Sequence, residues 1–225
     1  MQARAPFASI DIHNNTGINP HYACINRLDN RFLQLAALFS RTVVYFIRPR
    51  GVQSMAMAGL CPAVTIECGK PDQEYGARHA RDFLDAVLRL HEFPQHAVAA
   101  HDVDLFHTVA SVHVPENVSF GFGEEPVDLQ LVSNLDHLNF RELPAGTLLG
   151  RLSGGLGTPL EVRDENDRPV FARYFTVADG ALRSTRAFMP SMFTLDTRII
   201  RQDCLGYLME RLLPEQQRRT PGAPF

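Results

Sequence analysis

Residues 7–17, FASIDIHNNTG, decide how the chain is read. Ala8, Ile10 and Ile12 alternate with Ser9 and Asp11, the period of a strand with one apolar face. The strand runs into His13 and then at once into Asn14, Asn15, Thr16 and Gly17, residues that favour turns. α/β enzymes keep reactive groups at the carboxyl ends of their strands, beside such loops. His13 is therefore a candidate metal ligand, with Asp11 on the same strand to hold its second ring nitrogen. The alternative is a histidine that makes an ordinary hydrogen bond.

Asp29 offers an N-cap to a helix with Phe32, Leu35 and Phe39 at helical spacing. TVVYFI, residues 42–47, is a β-rich apolar run. A short small-residue segment over 52–60 can be helical, and CPAVTIECG, residues 61–69, gives another strand ending at Glu67. Helical spacing of Ala80, Phe83, Leu84, Val87 and Leu88 predicts a helix from about Glu74 to His91. Strands and helices in alternation are an α/β signature. Beyond residue 97 the period changes from 3.6 to 2, through DLFHTVASVHVP, VSFGF, VDLQLV and TLLGRL. In PLEVRDENDRPVFARYF the turn formers between two β-rich flanks predict a hairpin. TRIIRQDCLGYLMERLL, with Ile200, Leu205, Leu208 and Leu212, predicts a C-terminal helix, followed by a polar tail. The expected class is α/β: a mixed sheet with helices over 1–97, a β-rich domain over 98–195, and a C-terminal helix and tail over 196–225.

Composition narrows the function. The chain carries 22 Lys and Arg against 25 Asp and Glu, without the basic stripe of a nucleic-acid binder. No run of about 18 apolar residues can span a bilayer, and the N-terminus lacks the apolar core of a signal peptide. The four cysteines contain no C-x-x-C pair and lie in apolar sequence, which fits buried, reduced thiols in the cytoplasm. The expected partner is a small molecule, neither nucleic acid nor membrane.

Glu67 ends its strand before Cys68 and Gly69. If its strand runs parallel to that of His13, both side chains reach the same rim of the sheet. There a carboxylate can serve as general base and acid beside a metal-bound water; alone, it can equally form a buried ion pair or cap a loop. SIDIHNNTG, then a helix and strand, then PAVTIECGKP and a long helix together resemble the succinylglutamate desuccinylase/aspartoacylase family, a branch of the zinc carboxypeptidase-like hydrolases. The family's D-x-H-x-x-T element matches Asp11 to Thr16 and its E-x-G element matches Glu67 to Gly69. The resemblance implies zinc as cofactor, His13 as its third ligand, Glu67 as catalytic acid/base, and an N-acyl amino acid or related amide as substrate. On that reading Asn14, Asn15 and Thr16 contact the substrate or shape the loop. Arg48 and Arg50, between a strand and the segment leading to Glu67, are placed to bind a substrate carboxylate.

The sequence also departs from this pattern. The family's first two ligands lie in an H-x-x-E element upstream of D-x-H, and no such element precedes His13. The string His113-Val114-Pro115-Glu116 is downstream, in a strand with a proline, and has the wrong order and geometry. His21 and His79 are further imidazoles, with no spacing that demands a ligand role. The expectation is a partial zinc-carboxypeptidase-like domain, an N-terminally truncated piece of a longer hydrolase with an incomplete metal site, or else a noncatalytic protein on the same scaffold. An incomplete sheet leaves an unpaired edge and predicts self-association into homo-oligomers. His107, Ser111 and His113 share one face of a strand and read as exposed polar residues. LSGGLGTP, residues 152–159, reads as a turn.

Overall fold

The computed structural model describes residues 7–94, 96–154 and 157–212. Its first unit takes in the chain to Asn15, Pro20–Thr108 and the chain from Arg211, and its second Thr16–Asn19 and Val109–Glu210. In the first unit β1 (Ser9–His13) and β2 (Tyr22–Ile25) are followed by helix α1 (Asn30–Phe39), whose Asp29 cap accepts from the Arg31 N–H. Next come β3 (Thr42–Tyr45), the short α2 (Gln53–Met57), β4 (Ala63–Glu67) and α3 (Glu74–Leu88). β5 (Asp104–His113) begins in this unit. The sheet order is β1-β4-β2-β3-β5.

β1 lies parallel to β4, whereas β2 is antiparallel to β4, and β3 and β5 run in the direction of β2. The apolar faces of α1 and α3 bury Phe32, Leu35, Phe39, Ala80 and Phe83 against Val43, Val64 and Ile66, each large side chain contributing about 1.5–3 kcal/mol. Leu88, expected on the inner face of α3, is its last residue and is 82% exposed.

The second unit is β-rich. The rest of β5 pairs antiparallel with β9 (Glu161–Asp164), and β12 (Met189–Ser191) pairs with β13 (Gly206–Arg211). A second sheet has the order β10 (Phe175–Ala178), β11 (Ala181–Ser184), β8 (Leu148–Leu152), β7 (Leu129–Leu131) and β6 (Phe120–Gly121). Leu129, Leu135, Leu160, Tyr174, Phe175 and Leu182 centre its core.

Two local expectations are corrected here. After β9, Asp164 accepts from the Asn166 and Arg168 N–H groups, but the expected hairpin shrinks to one bridge, Arg163 to Pro169. The second flank then forms a helical turn, α4 (Phe171–Tyr174), which buries Tyr174 completely. The C-terminal helix, α5 (Thr197–Gln202), is capped by Asp196 and stops four residues before β13. At Gly206 a Cβ would come within 2.4 Å of a Phe193 ring carbon, so the chain lies too close for a helix of side chains. Pairing with β12 then overrides the helical spacing of Leu205 and Leu208. Gly155, Leu156 and the tail from Leu213 lie outside the described residues.

Candidate active site

The parallel pairing of β1 with β4 sets His13 level with Glu67, and Asp11 level with Thr65. Ser9, Asp11 and His13 share one face of β1. His13 Nε2 lies 3.0 Å from Asp11 Oδ1, its side chain 51% exposed and that of Asp11 19%. Glu67, by contrast, is 6% exposed. Asn15 Nδ2 donates to Glu67 Oε2 at 3.2 Å. Both the Asn15 N–H and the Asn14 side chain donate to the Gly69 carbonyl, at 3.0 and 3.2 Å, and the Cys68 N–H donates to the His13 carbonyl at 2.9 Å. The loop after β1 is thus fastened to the loop after β4 through Asn14 and Asn15.

Burial pushes the Glu67 carboxyl above its usual proton affinity; the Asn15 hydrogen bond and His13 oppose this, and the Asp11 charge adds to it. Burial and then the charge of Glu67 raise Cys24 and take Cys68 up to about 11. Such thiols stay protonated and are not nucleophiles at neutral pH. All four cysteines are free and buried.

Gly69 sits at φ 81°, the left-handed region that favours glycine, and a Cβ there would approach His21 Nε2 to 3.1 Å. His21 and His79 meet through their Nδ1 atoms at 2.6 Å, beside the rings of Phe39 and Tyr75. Two imidazole nitrogens this close share one proton, so one ring donates and the other accepts. Burial, and then His79, hold His21 below its ordinary pKa.

Arg48 and Arg50 are not brought to this rim. Tyr22 is level with Glu67, β2 runs away from it, and β3 runs with β2, so Tyr45 ends level with Ile25. The chain after Tyr45 therefore leaves at the opposite end of the sheet, which corrects their placement beside Glu67. Strand direction reverses the expectation; Arg50 is exposed there. Arg41, just before β3, lies instead at the rim of Glu67, about two strand spacings of 4.8 Å from β4, and pairs with Asp104 at 3.0 Å. Arg211 pairs with the other oxygen of Asp104 at 2.8 Å. The alternation of β3 shows Arg41 preceding a strand but not which rim it reaches. Thr16 belongs to the second unit.

Zinc, implied by the sequence resemblance, does not find a full ligand set here. Among the described residues no group of three or more His, Cys, Asp or Glu side chains is placed to hold a metal ion. One nitrogen of His13 is already engaged by Asp11, and His21 and His79 engage each other. Among the described residues no helix is long and apolar enough to cross a membrane.

No protein-family model and no curated protein matches the sequence. Solved structures do match. The succinylglutamate desuccinylase from Chromobacterium violaceum is similar over 94% of this chain, with a TM-score of 0.52 and 15% identity. The succinylglutamate desuccinylase/aspartoacylase from Rhodobacter sphaeroides is similar over 91%, with a TM-score of 0.53 and 15% identity. The chain spans 56% and 58% of the lengths of these two structures. With β1 and β4 carrying D-x-H and E-x-G into register, the chain has the fold of the succinylglutamate desuccinylase/aspartoacylase structures.

Proposed function

We propose that this chain serves the hydrolysis of an amide bond in an N-acyl amino acid or a similar small carboxylate-bearing amide, with Glu67 as the acid and base. The observation that carries this reading is the setting of Glu67: a buried carboxyl level with His13, raised in proton affinity and oriented by Asn15. As carboxylate, Glu67 takes a proton from the water whose oxygen attacks the amide carbon. As acid, it passes that proton to the nitrogen as the C–N bond breaks, releasing carboxylic acid and amine. A positioned acid/base of this kind contributes about 10²–10⁴-fold.

Amine release from N-succinyl and N-acetyl amino acids, with and without added zinc, tests the reading. Glu67→Gln is expected to lower the rate by about 100-fold or more. An undiminished rate in that variant removes Glu67 from the chemistry.

A second reading, a noncatalytic binding protein on the same scaffold, draws on the lack of a three-ligand group among the described residues. It predicts calorimetric binding of N-acyl amino acids with no amine released under either condition.

A further inference from the structure

Ser111, His113 and the Asp203 carbonyl form a hydrogen-bonded row in the second unit. Ser111 and His113 are two apart on β5 and project from one face. His113 Nε2 lies 3.2 Å from Ser111 Oγ, and Nδ1 lies 3.1 Å from the Asp203 carbonyl oxygen. Alternation along one strand cannot provide the third member of such a row. The chain provides it from the segment between α5 and β13, which is fixed by the Leu205 N–H donating to the Val112 carbonyl at 2.8 Å.

The carbonyl decides the tautomer. A carbonyl oxygen only accepts, so Nδ1 carries the hydrogen and the neutral ring keeps its lone pair on Nε2. The Ser111 hydroxyl then donates to Nε2, the arrangement in which an imidazole acts as general base toward a serine. The peptide carbonyl takes the orienting role that a carboxylate plays in hydrolase triads. On β9, Arg163 is the register partner of Ser111, and Glu161 that of His113. The Arg163 guanidinium turns to Glu161 and to the Asp167 carbonyl. Arg201 donates to the carbonyls of Val114 and Pro115, the two residues after His113.

We propose that Ser111 is a nucleophile, activated by His113, for acyl transfer from small esters with good leaving groups. The hydroxyl proton passes to Nε2 as Oγ bonds to the acyl carbon. The bond from that carbon to the leaving oxygen breaks, and Nε2 returns the proton to the departing alcohol or phenol. Water then gives a proton to Nε2 as its oxygen bonds to the acyl carbon. The acyl–Oγ bond breaks, Ser111 takes the proton back, and the carboxylic acid leaves. The Arg163 guanidinium is committed to Glu161 and Asp167 and not to an oxyanion, which restricts the substrates to activated esters.

A fluorophosphonate probe applied to the full chain, with the adduct located by peptide mass spectrometry, tests this. The expected result is phosphonylation of Ser111, absent in Ser111→Ala and slowed about 100-fold or more in His113→Gln, whose folding is checked by circular dichroism. No adduct on Ser111, or an undiminished rate in folded His113→Gln, overturns the proposal. Ser111→Cys gives a reading that does not depend on loss. Its new thiol is expected to react with iodoacetamide at neutral pH about tenfold faster than free cysteine, through thiolate formation by His113; reaction at the rate of free cysteine also overturns the proposal.

Discussion

At the scale of single residues, Glu67 and His21 are titratable groups held away from their ordinary proton affinities by burial. Glu67 has its folded-state pKa raised above the usual 4.5. The protonated form therefore contributes stability that is complete below that value and is lost as pH rises through the folded pKa. At neutral pH the site retains a carboxylate at a cost in stability. Glu67→Gln, neutral throughout and still able to accept from Asn15, is expected to melt about 2–4 °C higher at pH 7, equivalent to about 1 kcal/mol for a chain of this size. The gain should vanish near pH 4, and an unchanged or lower melting temperature at pH 7 would show that burial does not penalise this charge. His21 works in the opposite sense. Its folded pKa is lowered from 6.5, so the unfolded chain binds more protons and stability falls as pH drops through that value. His21→Phe keeps an aromatic ring beside Phe39 and Tyr75 and is expected to flatten this part of the profile. Denaturant unfolding from about pH 7.5 to pH 5 reads it, and an unaltered slope would remove His21 as its source.

At the scale of elements, α3 sets the loop that follows Glu67. A Cβ on Gly76, in the first turns of that helix, would lie 2.3 Å from the Cys68 carbonyl oxygen. Glycine to alanine inside a helix ordinarily stabilises by about 1 kcal/mol. Here the backbone of the loop stands in the way, and Gly76→Ala is expected to destabilise by about 1–3 kcal/mol. A stabilised variant would mean that the loop yields at no cost. The spacing of Ala80 and Phe83 reveals the helix, but the close approach at Gly76 depends on Cys68, which belongs to another element. The same division holds for β13, where apolar spacing suits a helix until β12 supplies backbone partners.

At the scale of the whole molecule, β1 ends its sheet with β4 as its one strand partner among the described residues. Phe7 is 63% and Ile12 47% exposed beside it. Such an edge is a template for strand addition, and light scattering is expected to show self-association at micromolar concentration that Ile12→Lys reduces. A wild-type chain that scatters as a monomer would rule this edge out as an association surface. The two units also interleave along the chain, since Thr16–Asn19 falls in the second unit within a stretch of the first and the chain from Arg211 returns to the first, a membership that no local pattern records. By itself the sequence determined that β1 and β4 are strands with His13 and Glu67 at their carboxyl ends, because alternation and turn residues act over a few neighbours. Only the tertiary structure decided that these strands run parallel while β3 runs the other way, bringing Arg41 to the rim and taking Arg48 and Arg50 from it. It likewise gave His113 its orienting carbonyl from ninety residues away. The physical reason is that burial patterns are encoded locally, whereas strand direction and long-range hydrogen bonds are settled by the packing of distant segments.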